Sequence, residues 1–248
     1  MEKRLSDYWQ QLNNKYSSNQ VFFILIYFTL TVYQQTVKGK ERVSFGEYRL
    51  ALRDMLGETM DYDIKESAVR LSERIEWTLL DSDEEAKTLL YHLGGELKSY
   101  FKSEPYFCEN KSRKEVKDIE KLNEVIEIIT RMAEINELYT ATPKSITVIL
   151  QRIFEQRHAD SMADFCCGSG VLGIAVWQQL EAASRVSYWG MDFEPVMCDI
   201  SRIMIYFNKI THGVIREDNI LTYNEKEKTD RYDLILLDVP RGRNRNIQ

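Results

Sequence analysis

The spacing of apolar residues changes character about halfway along the chain. Up to about Leu138 the apolar positions recur with helical period and the only proline is Pro105. The longest apolar run, Val21 to Tyr33, covers about 13 residues and includes Thr29 and Thr31. A membrane span needs roughly 20 apolar residues, so the run predicts a helix buried in protein. Ser44-Phe45-Gly46-Glu47 has capping-box spacing, Gly57 is placed to end the helix that follows, and Ser82 with Glu85 repeats the start signal. Ile119, Leu122, Val125, Ile126, Ile129, Met132 and Ile135 form one helical stripe. It lasts under three heptads, which favours a core-facing bundle helix over a coiled coil.

Beyond Leu138 short apolar strands alternate with helices. The strands are expected at Ser161 to Phe165, Val186 to Asp192, Val214 to Arg216 and Asp233 to Leu237. The helices are expected at Pro143 to Phe154, Val171 to Glu181 and Pro195 to Ile210. Asp164, Asp192, Asp218 and Asp238 fall at or just past strand ends, at separations that suit successive βα units of a parallel sheet. Ligands of such sheets bind at the carboxyl ends of the strands, where four acids suit a polar ligand. Asp164-Phe165-Cys166-Cys167-Gly168-Ser169-Gly170 then turns through two glycines into the apolar run Val171-Leu172-Gly173. A strand, a glycine turn and a helix in that order bring backbone amides close to a nucleotide-like ligand.

The expected organisation is therefore an all-α bundle over residues 1–138 and a Rossmann-like α/β domain over residues 139–248. With 248 residues and 44% hydrophobic content, the chain has the composition of an ordinary globular protein. The start carries no basic region followed by a small-residue cleavage site, so no signal peptide is expected. Cys108, Cys166, Cys167 and Cys198 include no Cys-x-x-Cys pair that would point to a metal, and adjacent cysteines do not bridge without strain. Reduced thiols in a cytoplasmic protein follow. A net charge of -6 argues against gripping DNA over the whole surface, since phosphate binding needs clustered Lys and Arg. A local patch or a partner subunit would have to supply that grip. The Lys111-Ser112-Arg113-Lys114-Glu115-Val116-Lys117 run reads better as a solvated helix start than as a DNA contact.

Tyr139-x-x-Thr142-Pro143, Asp164-x-x-Cys167-Gly168-Ser169-Gly170, Gly190-x-Asp192, Asp218 and Asp238-Val239-Pro240 together resemble the ordered motifs of the N6-adenine DNA methyltransferase family. With a helical first half, the chain is most similar to the modification subunit of type I restriction-modification systems. The motif-bearing likeness covers about residues 139 to 240. It implies S-adenosylmethionine as cofactor, DNA as substrate through a specificity subunit, and possible restriction and specificity partners.

The same resemblance implies roles for individual residues. Tyr139, Thr142 and Pro143 would lie over the methionine end of the cofactor, although Thr142-Pro143 is also an ordinary helix start. Asp164 would face the cationic methionyl amine, with Cys167, Gly168 and Gly170 forming the close backbone loop. Asp192 would take both ribose hydroxyls, with Glu194 a nearby competitor, and Asp218 would accept from the cofactor's adenine amino group, with Glu217 its neighbour. In the catalytic string Asp238-Val239-Pro240, the Asp238 side chain and the Val239 carbonyl would accept from the target amine and so position its nitrogen for transfer. Family members have Pro and a small residue where this chain has Phe165 and Cys166, and an Asn/Asp-Pro-Pro-aromatic string where it has Asp238-Val239-Pro240-Arg241. The ring that stacks on an extruded base is thus replaced by Arg241, a poorer platform. Arg241, Arg243 and Arg245 either contact phosphates or form a solvated loop. A complete domain of this family continues with further strands, so only its first part is expected here, in either a fragment of a longer protein or a reduced relative. Three readings stay open: a DNA adenine methyltransferase or its N-terminal part, a degenerate cofactor-binding or DNA-docking subunit, and an N-methyltransferase for RNA or protein glutamine.

Overall fold

The Val21-to-Tyr33 run forms the middle of a helix around which the first half of the chain is built. The computed structural model describes residues 1–39, 62–102, 111–222 and 231–239, with backbone alone at 62 and 111–117. The chain divides into two units, Met1–Tyr139 and Thr140–Gln248. The first contains α1 (Glu2–Asn13), α2 (Ser18–Val37), α3 (Tyr62–Glu73), α4 (Trp77–Ser82), α5 (Glu84–Lys102) and α6 (Lys111–Ile135). Every residue of α2 from Val21 to Gln35 is buried, and α1, α3, α5 and α6 pack against it. A helix apolar on all sides is stable in water only when neighbours surround it. Its length and composition would also suit a membrane span, but 83% of its apolar window is buried inside the chain. Ser17 caps it, its hydroxyl accepting from the Gln20 N–H at 3.3 Å, and Tyr27 and Tyr33 meet Trp77 and Phe101 edge-on.

On α6, Ile119, Leu122, Val125, Ile126, Ile129 and Met132 are buried as the stripe requires, while Ile135 in the last turn is exposed. The Lys111 run begins this helix. The start signal at Ser82 resolves differently. Its hydroxyl donates to the Leu79 carbonyl at the end of α4, and the residue that caps α5 is Asp83, whose Oδ1 accepts from the Ala86 N–H at 3.0 Å. Lys15 and the Tyr16 hydroxyl also reach Asp83, both at 3.1 Å. One carboxylate thus caps a helix and ties the α1–α2 turn to the α4–α5 turn. The capping box at Ser44 to Glu47 and the stop at Gly57 lie outside the described residues.

The second unit runs α7 (Lys144–Phe154), β1 (Ser161–Phe165), α8 (Val171–Trp177), β2 (Ser187–Asp192), α9 (Pro195–Phe207), β3 (Gly213–Glu217) and β4 (Leu234–Leu237). The four strands form one sheet in the order β3-β2-β1-β4, and all pairs are parallel. This is the Rossmann-like architecture expected from the alternating pattern. Helix α8 stops at Trp177 rather than Glu181. The next residues instead exchange backbone bonds with the α7–β1 loop, Gln156 N–H to Gln179 O and Glu181 N–H to Arg157 O, both at 2.9 Å. Helix α9 ends at Phe207 rather than Ile210 because Lys209 takes a left-handed φ of 56°, which lets the Ile210 N–H bond back to Ile205 O at 3.0 Å.

Period-2 alternation assigns the two sheet faces. Met162, Tyr188, Ile215, Leu234 and Leu236 are buried on the face against which α9 packs. The opposite face carries a cluster of Phe165, Trp189 and Tyr232. There Val214, Ile235 and Leu237 remain 58%, 54% and 55% exposed.

Replacing Asp83 by Ala removes the α5 cap together with the Lys15 and Tyr16 contacts. The expected cost is about 1 to 2 kcal/mol in urea unfolding at neutral pH. An unchanged midpoint would show that the cap contributes nothing.

Candidate functional site

Strand β1 lies between β2 and β4, so the chain steps outward through β2 and β3 and then returns to the other side of β1. That reversal opens a crevice at the carboxyl ends of β1 and β4, the position where α/β sheets bind ligands. The acids singled out from the sequence are brought to this end. Asp164 is in β1, Asp192 ends β2, Asp218 follows β3 and Asp238 follows β4.

The loop after β1 is shaped by alternating left-handed residues, Cys166 at φ 69°, Gly168 at 55° and Gly170 at 82°. Gly170 caps α8 in this conformation, and a Cβ there would lie 2.7 Å from the Ser201 hydroxyl on α9. Both its φ and its surroundings therefore require glycine. The loop is laced to β2. The Cys167 N–H bonds to Met191 O at 2.9 Å and the Gly168 N–H to Asp192 Oδ2 at 2.8 Å. The unusual Phe165 does not crowd the loop, because its ring points to the opposite face and packs 5.3 Å from Trp189.

Asp164 is the most constrained acid, with 1% of its surface exposed. Its Oδ2 accepts from the Tyr188 hydroxyl at 3.2 Å, and the Gly173 N–H also bonds to the carboxylate. Among the described residues its buried Oδ1 has no hydrogen-bond partner. Burial pushes the carboxyl up to about 7; Tyr188 opposes this, Asp192 and Asp238 reinforce it, and the Gly173 N–H opposes it. A methyl at Gly173 would overlap both Asp164 Oδ2 and the Tyr188 hydroxyl, so this glycine admits the acid beneath the start of α8. Tyr188 and Gly173 were not singled out from the sequence. A signal existed in the strand period, since Tyr188, Gly190 and Asp192 share one face.

Asp192 is buried and accepts on both oxygens, from Gly168 N–H and, at 2.9 Å, from Glu194 N–H. Its carboxyl is pushed up by burial, against the opposing Glu194, Gly168 and Phe193 N–H groups. Glu194 meets it through the main chain and takes the N-cap position of α9. Asp218 extends the β2–β3 ladder one step, its N–H bonding to Asp192 O at 3.0 Å. Its carboxylate accepts from Asn219 N–H at 2.8 Å and pairs with Arg216 at 3.2 Å, whereas Glu217 is exposed.

Thr142 neither caps α7 nor precedes a helical Pro143. Pro143 occupies the N-cap position without a side-chain cap, and Lys144 is the first helical residue. The Thr142 hydroxyl instead donates to Asp238 Oδ2 at 2.5 Å. Tyr139 belongs to the first unit, where its ring lies 4.9 Å from Phe22. Val239 is exposed, and Pro240, Arg241, Arg243 and Arg245 lie outside the described residues.

Chemically, this is an acceptor-rich strand end with a buried carboxylate oxygen left for a donor. Burial holds the Cys166 thiol up at about 11 and Cys198 at about 12, and lifts Cys167 well above its ordinary value, so these thiols stay protonated at neutral pH. The acceptor set therefore suits binding a cationic, hydroxyl-bearing ligand.

Because the folded pKa of Asp164 is raised, its favourable contribution is complete below the unfolded carboxylate value and is lost as pH rises through about 7. Between pH 5 and pH 8 this group alone should remove about 2 to 3 kcal/mol of stability. Urea unfolding of the wild type and Asp164→Asn at both values checks this. The variant should lose that part of the pH dependence, and equal slopes would place the titration elsewhere.

Residues 100–245 match the model of the N-6 DNA methylase family. No curated protein matches the chain at a significant level. Among solved structures, the methyltransferase subunit of the type I restriction-modification system from Streptococcus thermophilus is similar with a TM-score of 0.55 and 12% identity. The likeness covers 94% of this chain and 61% of that one. A modification subunit assigned to a type I restriction enzyme from Vibrio vulnificus YJ016 gives the same TM-score and identity, covering 95% of this chain and 60% of its own. At this identity the two structures support the fold, and the chain spans about three-fifths of their length. With the family match extending over more than half of its residues and agreeing with the sheet and glycine loop, the chain belongs to the N-6 DNA methylase family.

Proposed function

We propose that this chain is the S-adenosylmethionine-binding part of a DNA adenine-N6 methyltransferase of the type I modification-subunit kind. The observation that carries this reading is the meeting of Asp164, the glycine loop and Asp192 at the carboxyl ends of β1 and β2, beside the sheet's switch point. The unpartnered, buried Asp164 Oδ1 fits a cationic amine, which would satisfy the oxygen and favour the ionised acid. Gly168 and Gly170 allow the backbone to pass close to the methionine end, and Cys167 is held in place by its bond to Met191. Asp192 accepts from the Gly168, Glu194 and Phe193 N–H groups, and the acceptor capacity left on its carboxylate suits the ribose hydroxyls. Asp218 stands next to it to accept from the cofactor's adenine amino group.

The cofactor supplies an electrophilic methyl group. What the chain supplies is alignment: Asp238 and the Val239 carbonyl would hold the target amine so that its nitrogen lone pair faces that methyl. DNA is the favoured substrate, with a specificity subunit providing much of the grip that a chain of net charge -6 lacks. Restriction and specificity subunits are the proposed partners, and three free thiols among the described residues suit a cytoplasmic setting. A second reading, a cofactor-binding assembly subunit with little catalysis, is favoured by Val239 and Arg241 in place of the family's proline and aromatic ring.

Isothermal titration with S-adenosylmethionine tests the binding half of the proposal. The wild type should give a saturable signal, and Asp192→Ala, which loses both the ribose acceptor and the Gly168 anchor, should bind at least about tenfold more weakly. No heat from the wild type removes the cofactor reading, while equal binding removes the assignment of Asp192. In a labelled-methyl assay on DNA the isolated 248-residue chain should transfer little or nothing. Robust incorporation would show that Val239 and Arg241 are compatible with efficient methyl transfer.

A further inference from the structure

We infer that Thr142 is a positioning residue for Asp238, fixing the carboxylate that receives the target amine rather than holding the cofactor. This rests on the methyltransferase reading above and assigns a role within the same site. The observation is the 2.5 Å bond from the Thr142 hydroxyl to Asp238 Oδ2, which joins residues 96 positions apart in the chain. Among the described residues no other side chain bonds to either oxygen of Asp238. The hydroxyl is also not engaged in capping, since α7 begins at Lys144 without a side-chain cap.

The dipeptide makes Thr142 a well-aimed donor. Its β-branched side chain has few χ1 choices. The following Pro143, at φ -57° and ψ 136°, confines Thr142 to extended backbone. Asp238 has the opposite problem. It stands one residue past an edge strand of four residues and is followed by the exposed Val239. Left alone, its carboxylate would rotate about two side-chain torsions. Tying Oδ2 to a stiff donor fixes the carboxylate plane and leaves Oδ1 as the acceptor with a defined direction. An amine held by Oδ1 is then oriented through Thr142, which itself need not touch it.

The test uses the full chain saturated with S-adenosylhomocysteine, so that an added nucleoside cannot occupy the cofactor's own adenosine site. Affinities for S-adenosylhomocysteine and then for 2′-deoxyadenosine are measured for the wild type, Thr142→Val, Thr142→Ala and Thr142→Ser. Melting curves establish that each variant is folded, and Val and Ala remove the hydroxyl with different packing. Both hydroxyl-less variants should weaken deoxyadenosine by about tenfold and change S-adenosylhomocysteine by less than about twofold. Thr142→Ser should restore wild-type nucleoside binding. Loss of S-adenosylhomocysteine affinity with nucleoside affinity unchanged would make Thr142 a cofactor contact and overturn the inference. Unchanged affinity for both would overturn it too, as would a wild type that binds S-adenosylhomocysteine but not deoxyadenosine. A wild type that binds neither defeats the methyltransferase reading itself, and the inference falls with it.

Discussion

A carboxylate buried at the end of the central strand with one oxygen unpartnered is the constraint from which the site follows. Asp164 is admitted under α8 only because position 173 is glycine, and it is held there by the Tyr188 hydroxyl and the Gly173 N–H. An unpaired buried charge is costly, so burial keeps the acid neutral below about pH 7. A cationic ligand reverses that preference. The same group that weakens the fold at high pH thereby becomes a source of affinity, which is a common compromise at binding sites.

Around this acid the loop is held by main-chain bonds rather than by packing alone. Asp192 anchors Gly168 and the start of α9 at once, and the Asp218 N–H continues the ladder beyond the sheet. The acids at the ends of β2 and β3 therefore serve the architecture before any ligand arrives. On the far side of β1, Thr142 performs the corresponding service for Asp238. The helical unit is organised by a different logic, in which one helix buried on all sides collects amphipathic neighbours around it.

Much of this architecture was legible in the amino-acid order because two periods, helical and alternating, are hard to confuse over long segments. Strand β1 begins and ends where the pattern placed it, at Ser161 and Phe165. The misplacements have local causes. Helix α8 is cut short by a backbone exchange with residues 156 and 157, and α9 by a left-handed Lys209, neither of which residue type announces. Ser82 looked like a cap, but its neighbour Asp83 does the capping with the help of Lys15 and Tyr16, which are far away in sequence. At the site, the spacing of Asp164, Asp192, Asp218 and Asp238 located the strand ends. The Thr142–Asp238 bond and the pinning of Asp164 by Tyr188 depend on strand order, which spacing does not encode.

In the proposed function the buried oxygen of Asp164 accepts from the amine of a bound S-adenosyl cofactor. A crystal structure of the chain with S-adenosylhomocysteine tests it most directly. The ligand should lie at the carboxyl ends of β1 and β2, beside the crevice between β1 and β4, with its amine about 3 Å from Asp164 Oδ1 and its ribose at Asp192. A ligand seated on the opposite sheet face, or one whose amine leaves Asp164 Oδ1 unpartnered, would contradict it.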